Sequence, residues 1–120
     1  MEGHSLCKKI IVKRGIYNVA IELSDVILFY SENKIVFALL SDGSKFISEA
    51  SLFRLEQKLN TQYYFRINRK CIINGNYIRS FKTHDKIKVE VILKGPLQKD
   101  VTVLVSQKRV AQFRKWVYTL

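Results

Sequence analysis

Residues 64–78 read YFRINRKCIINGNYI, and this stretch decides the fold class. Its apolar residues alternate with polar ones, a two-residue period that is typical of a β-strand. Arg69 falls on the apolar parity, so an unbroken strand would bury its guanidinium. Burying an unpaired charge is too costly, and we therefore predict that the strand breaks or bulges at residues 68–70. The break would hold Arg69 and Lys70 out on a short kink between two strand halves.

The composition is that of one globular domain. The chain has 120 residues, of which 48% are hydrophobic and 12% aromatic, which is enough for a real core. No apolar run reaches the length of a membrane span, and the N-terminus lacks the apolar segment of a signal peptide. We expect residues 1–8 to be a tag or disordered leader and residues 9–120 to form the domain, excised from a longer protein.

The two cysteines, Cys7 and Cys71, indicate a reducing, cytoplasmic setting. They are far apart and form no CxxC pair, which argues against a disulfide framework and against a zinc site. We expect Cys71 to be a small buried hydrophobic residue. The minor alternative is a redox role, in which Arg69 and Lys70 would lower the pKa of its thiol.

The net charge of +11 is concentrated in the second half of the chain. Residues 61–120 hold 13 Lys and Arg against 3 Asp and Glu, whereas residues 1–60 hold 8 against 7. This asymmetry favours a polyanionic partner for the second half. The alternative is a basic surface that serves only solubility.

The hydrophobic pattern predicts a mainly β domain of nine or ten short strands and two short helices. Besides the opening stretch, we expect strands at residues 8–14, 17–23, 26–30, 35–40, 45–47, 77–81, 86–93 and 101–105, with a turn at 83–85. Residues 26–30 and 35–40 form a hairpin that is apolar on both faces, so both faces must be covered.

The two predicted helices are amphipathic. The first lies within residues 48–59. The second follows Ser106, a candidate N-cap, and presents an apolar stripe of Val110, Phe113, Val117 and Leu120. Strand 86–93 is also amphipathic, and the core-facing residues would be Ile87, Val89, Val91 and Leu93.

The sequence contains few features that are typical of an enzyme. The chain has no GxGxxG or P-loop, no HExxH and no GxSxG. His84 lies in a predicted turn, and the sequence pairs it with no second ligand or base. We therefore expect a protein that is not an enzyme, with no catalytic residues, no metal and no cofactor.

Three short polar groups stand at junctions between predicted elements. They are residues 31–34 at a hairpin tip, residues 68–70 at the strand break and residues 106–109 where a strand meets a helix. Arg and Lys contact phosphates or guanine edges, Asn can pair with adenine, and a helix N-terminus offers N–H groups to phosphate. The alternative for each group is an ordinary exposed loop. The candidate residues are Asn33 and Lys34, then Asn68, Arg69 and Lys70, then Ser106, Lys108 and Arg109.

Two other functional classes stay open. Tyr63, Tyr64 and Tyr77 could stack on bases in a module that binds single-stranded nucleic acid or RNA, although core packing is favoured for most of the aromatic residues. A third class is a protein-interaction or dimerisation domain whose surface is only incidentally basic.

Four segments together resemble the LytTR DNA-binding domain of bacterial response regulators. They are FRINRKCIINGNYI at 65–78, VSQKRVAQFRKWV at 105–117, SDVILFYSENKIVFALLSDGSKF at 24–46 and SLFRLEQKL at 51–59. The resemblance covers nearly the whole chain from about Lys9. It implies an elongated, β-sandwich-like arrangement of small sheets whose loops enter successive major grooves on one face of a DNA duplex.

The resemblance also implies a role and a set of partners. Members regulate transcription in two-component phosphorelay systems, bind repeated sites in double-stranded DNA, often as homodimers, and bend the duplex. A receiver domain would precede this chain, and its phosphorylation would promote dimerisation.

The family's inserted loops correspond to the three polar groups. Lys34, Arg69, Lys108 and Arg109 would then supply charge. Asn33 and Asn68 would supply hydrogen bonds to base edges. Two departures bear on specificity: Asn68 stands where the family often has His, and Gln107 stands where a basic residue is common, so the family's base preference does not transfer.

Overall fold

The computed structural model describes residues 8–84 and 87–120, and these residues form ten β-strands and two α-helices. The strands are β1 (Lys9–Arg14), β2 (Tyr17–Glu22), β3 (Val26–Glu32), β4 (Ile35–Leu40), β5 (Lys45–Ser48), β6 (Tyr64–Asn68), β7 (Cys71–Asn74), β8 (Ile78–His84), β9 (Lys88–Leu93) and β10 (Val101–Val105). The helices are α1 (Leu52–Lys58) and α2 (Val110–Val117). The predicted mainly β class is confirmed.

Some of the sequence predictions fall outside the described residues. These are the leader up to Cys7, and Asp85 and Lys86 at the predicted turn and strand start. Lys8, the last residue of the predicted leader, is described, and its carbonyl accepts a hydrogen bond from the Leu23 N–H at 2.9 Å.

The described strands form two antiparallel sheets. The larger has seven strands in the order β2-β1-β5-β4-β3-β7-β6, and the smaller has three in the order β10-β9-β8. The described residues extend over 46 × 39 × 28 Å. The sheet order places β6 and β7 at one edge of the large sheet, and β6 lies close to β10 of the small one.

Strand β3 faces a separate hydrophobic core on each side of the large sheet. Val26 and Phe29 pack in a core that α1 completes, whereas Ile27 and Leu28 pack in a second core with the small sheet and α2. A register irregularity between positions 26 and 28 lets consecutive residues serve the two cores. The prediction that both faces of this hairpin are covered holds for β3, whose residues 26–29 are all buried, but β4 is only partly covered and Ile35 at its start is exposed.

Two details of the predicted packing were wrong. In α2 the predicted Val110 and Phe113 are buried and Val117 is partly buried against the same core, but Trp116 is also buried, and Leu120 is exposed because the helix ends at residue 117. Ile87 is also exposed, because it precedes β9 and lies outside the strand's alternation.

Candidate nucleic-acid interface

Arg69 and Lys70 form the tip of a tight hairpin. Strand β6 ends at Asn68, β7 begins at Cys71, and the two strands pair antiparallel with these two residues opposite each other. The predicted break is therefore present, but the chain reverses there and does not run on as two halves of one strand. Alternation alone could not distinguish a bulge from a reversal, since either one takes Arg69 out of the core. Both tip residues are exposed.

The Asn68 side chain holds this tip in place. Its Oδ1 accepts a hydrogen bond from the Lys70 N–H at 2.8 Å, which closes a local turn of the kind that Asn favours. Its Nδ2 donates to the Leu104 carbonyl of β10 at 2.7 Å. The Asn68 amide was predicted to contact a base, but its oxygen and its nitrogen each form a hydrogen bond within the domain.

The junction between β10 and α2 lies against the same hairpin. The Ser106 N–H donates to the Ile67 carbonyl of β6 at 2.8 Å, and the Ser106 carbonyl accepts from the Arg109 N–H at 2.8 Å. The Ser106 hydroxyl is buried, makes no cap, and has no hydrogen-bond partner among the described residues. Lys108 is exposed. The predicted Ser106 cap was wrong, because a single 3-10 turn separates this residue from α2.

The Arg109 side chain turns back into the domain. Its Nη1 donates to the Arg66 carbonyl at 3.2 Å and lies 3.7 Å from a carboxylate oxygen of Glu56. Only 22% of the side chain is exposed. Arg109 thus holds the junction against β6 in this structure, while Lys108 next to it faces solvent.

Asn33 and Lys34 form the two-residue turn between β3 and β4. Glu32 pairs with Ile35 across the turn, and both turn residues have positive φ, 52° and 68°. Two left-handed residues in a two-residue hairpin make a type I′ turn, which favours Asn followed by Gly. Lys34 occupies the glycine position, at a cost of about 1–2 kcal/mol for an L-residue.

Backbone hydrogen bonds join the three groups along one border of the molecule. The Ser31 N–H of β3 donates to the Lys70 carbonyl at 2.9 Å, and the 106–109 junction bonds to β6 as described above. The β3–β4 turn extends beyond this bond by about 10 Å of strand. We call the four exposed cations of this border the basic rim: Lys34, Arg69, Lys70 and Lys108.

The comparison with known proteins identifies the family. The family model of the LytTr DNA-binding domain matches residues 17–118. The chain belongs to this family. A solved LytTr DNA-binding domain, from a methyl-accepting/DNA response regulator of Bacillus cereus, is 20% identical, has a TM-score of 0.76, and covers 91% of this chain and 95% of its own. At that identity the similarity shows the fold. Among curated proteins, no significant match was found.

Tyr64 and Tyr77 of this LytTr domain form hydrogen bonds with backbone carbonyls of another segment of the chain. The Tyr64 hydroxyl donates to the Leu23 carbonyl at 2.7 Å, and the Tyr77 hydroxyl donates to the Ser24 carbonyl at 2.8 Å. Burial raises the pKa of the Tyr64 hydroxyl, and the neighbouring Tyr77 adds to the shift. Both rings are also partly buried against the hydrophobic cores, so neither is free as an open stacking platform.

Cys71 is a buried residue at the base of the hairpin. Burial raises the pKa of its thiol to about 12, so the reactive thiolate is scarce at neutral pH. This direction is opposite to the one that the redox alternative requires. Burial is the cause of this pKa shift, and Arg69 and Lys70 are both exposed to solvent.

Sequence reasoning missed Arg66 and Glu56. Arg66 lies on the polar parity of β6, and its side chain reaches Glu56 of α1 at 3.2 Å. The sequence shows only that Arg66 is a charged residue on the polar side of a strand whose other side is buried. Such residues usually face solvent, so this pattern does not predict the contact with Glu56.

The described part of the chain shows neither a metal-binding cluster nor a membrane-spanning helix. Over residues 8–84 and 87–120, no group of three His, Cys, Asp or Glu side chains could hold a metal ion. Within the same part of the chain, none of the helices is long and apolar enough to cross a membrane.

Proposed function

We propose that this LytTr domain binds double-stranded DNA sequence-specifically, as the output domain of a two-component transcriptional regulator. The basic rim is the observation that carries the proposal. Three segments that are distant in sequence bring four exposed cations to one border, where backbone hydrogen bonds join the segments. Cations that neutralise phosphates provide most of the affinity of DNA-binding proteins.

The domain meets DNA through its loops. The rim residues lie in two hairpin turns and one strand–helix junction, so the elements that would enter a groove are short and protruding. The longest dimension of the domain, 46 Å, exceeds the repeat of about 34 Å between successive major grooves on one face of a duplex. One domain is therefore long enough to reach two successive grooves.

The rim residues divide into base contacts and phosphate contacts. Arg69, in the β6–β7 turn, is suited to a guanine edge, and Asn33, which adjoins the rim residue Lys34 in sequence, is suited to a base edge. Lys34, Lys70 and Lys108 supply the charge for phosphates.

The three remaining predicted site residues act through their neighbours. Asn68 and Arg109 point into the domain, and the Ser106 hydroxyl is buried. In our proposal they hold the two loops that carry Arg69 and Lys108.

Our proposals for the wider assembly are supported by the family resemblance. We propose a receiver domain N-terminal to this chain, a homodimer on repeated DNA sites, bending of the bound duplex and a cytoplasmic location.

A competition between duplex and single-stranded oligonucleotides tests the proposed function. Fluorescence anisotropy would measure both affinities over a range of salt concentrations. We expect a preference for duplex and a steep fall in affinity with salt, about 0.9 logarithmic units per phosphate neutralised and per tenfold change in salt. A preference for the single strand, or binding that is insensitive to salt, would overturn the proposal.

A further inference from the structure

Glu56 lies behind the basic rim, between two guanidinium groups. Its Oε1 is 3.2 Å from Nη1 of Arg66, and its Oε2 is 3.7 Å from Nη1 of Arg109. The side chains of Arg66 and Arg109 are only 16% and 22% exposed, and that of Glu56 is 40% exposed. One carboxylate of α1 therefore faces β6 and the β10–α2 junction at the same time.

Arg66 supports the backbone that carries Arg69. Its Nη2 donates to the Arg69 carbonyl at 2.7 Å, and its Nε lies 3.3 Å from the Asn68 carbonyl. Carbonyls at a hairpin tip are beyond the strand ladder and need other partners. Because a guanidinium donates in fixed directions within one plane, the placement of Arg66 determines the placement of the tip.

The same network reaches the second loop of the rim. The carbonyl of Arg66 accepts from Arg109, which belongs to the junction next to Lys108. Glu56 lies close to both cations and offsets their mutual repulsion. The three side chains also line a cavity of about 270 Å³ between the two helices.

We propose that Glu56 and Arg66 are positioning residues for DNA recognition, which fix the Arg69 tip and the Lys108 junction relative to each other. The inference rests on the proposed function and adds two residues to it, neither of which contacts DNA. Removing the Glu56 carboxylate distinguishes positioning from simple electrostatics. By electrostatics alone, loss of a negative charge strengthens binding to a polyanion, whereas loss of a positioning carboxylate weakens specific binding.

The test compares Glu56→Ala with Glu22→Ala. Glu22 is the matched control, since it is 45% exposed and pairs with Lys9 at 3.0 Å, away from the rim. Affinity would be measured for a duplex that the wild type selects and for a random duplex. We expect Glu56→Ala to bind the selected duplex about tenfold more weakly, as loss of one charge-assisted contact implies, and the random duplex at least as tightly as the wild type. Glu22→Ala should bind both at least as tightly.

Equal behaviour of the two variants would overturn the positioning role. If instead the wild type bound no duplex, the proposed function itself would fail, so the two failures are distinguishable. A thermal unfolding curve of each variant checks that the fold is retained, which is expected because partly exposed ion pairs add little stability.

Conservative variants of Glu56 and Arg66 show whether DNA affinity depends on their positioning contacts or on their charges. Glu56→Gln keeps an acceptor for Arg66 and should recover most of the specific affinity. Arg66→Lys keeps the charge, but an ammonium cannot reach the two carbonyls and Glu56 together, so its specific affinity should stay low while its affinity for random duplex is unchanged. Wild-type specificity in Arg66→Lys would contradict the proposal.

Discussion

The two hairpin tips of the basic rim are held in different ways. The β3–β4 tip consists of the paired strand ends Glu32 and Ile35 and of two turn residues with positive φ, Asn33 and Lys34. The β6–β7 tip is tied to β10 through Asn68 and supported from below by Arg66, whose guanidinium contacts α1. The β3–β4 tip is therefore the locally held tip, and the β6–β7 tip, which we call the braced tip, is also held by contacts with β10 and, through Arg66, with α1.

Because of this difference, the two tips are suited to different contacts with DNA. Hydrogen bonds to a base edge need a side chain in a fixed position, whereas a contact to a phosphate tolerates movement and carries no sequence information. The braced tip is therefore the better place for base reading by Arg69. The locally held tip suits Lys34, whose flexible ammonium can follow the DNA backbone.

The largest expected effect on stability is from Asn68→Ala in the braced tip. The variant loses the hydrogen bonds to Leu104 and Lys70, so we expect unfolding free energy to fall by about 1–2 kcal/mol. Affinity for the selected duplex should fall about tenfold as the tip loosens. Urea unfolding and fluorescence anisotropy would measure the two effects.

Asn33→Gly is the matched control in the other tip. Glycine accepts the left-handed conformation, so the stability of this variant should stay close to that of the wild type. If both substitutions cost the same stability, the contrast between the tips is wrong.

The second expected effect is a pH dependence of the unfolding free energy, caused by Cys71 at the base of the β6–β7 hairpin. The pKa of the Cys71 thiol rises from about 9 to about 12 on folding. The neutral thiol is therefore favoured in the folded state, and the resulting stability is complete below pH 9 and is lost as the pH rises toward 12. We expect a loss of about 1.4 kcal/mol by pH 10.

Cys71→Ala supplies the reference for this titration. The difference between the two proteins in urea unfolding, followed from pH 7 to pH 10, isolates the thiol from the other titrating groups. An equal pH dependence in both proteins would mean that the base of the hairpin opens to water.

The smallest expected effect is from Lys34→Gly in the locally held tip. The substitution relieves the left-handed strain and should raise the unfolding free energy by up to about 1 kcal/mol. It also removes one phosphate contact, so the salt dependence of log affinity should fall by about one unit of slope. A more stable variant that binds DNA as the wild type does would remove Lys34 from the interface.

The hydrophobic pattern predicted the approximate positions of the strands because it reflects burial directly, although β8 runs to His84, into the predicted turn at 83–85. The apolar run at 26–30 predicted coverage on both faces, and β3 divides between two cores. The strand break at Arg69 followed from the cost of burying a charge. That the break is a reversal depends partly on the pairing of β7 with β3, a long-range contact that a local pattern does not contain.

The candidate site was less predictable, because the direction of a side chain depends on distant partners. Asn68 and Arg109 are polar residues at loops, as expected of contact residues, yet both point inward to β10 and β6. Glu56 and Arg66 look like ordinary surface residues in sequence, since one lies on the polar side of a helix and the other on the polar parity of a strand. Their meeting depends on how α1 packs against β6.

Selection of bound sequences from a random duplex pool, with the wild type and Arg69→Ala side by side, tests the central claim most directly. We expect the wild type to enrich a defined sequence. The variant should bind it with about 1–3 kcal/mol less free energy and lose preference at one base pair. An unchanged consensus with a uniform loss of affinity would contradict base reading by Arg69, and no enrichment by the wild type would contradict sequence-specific binding.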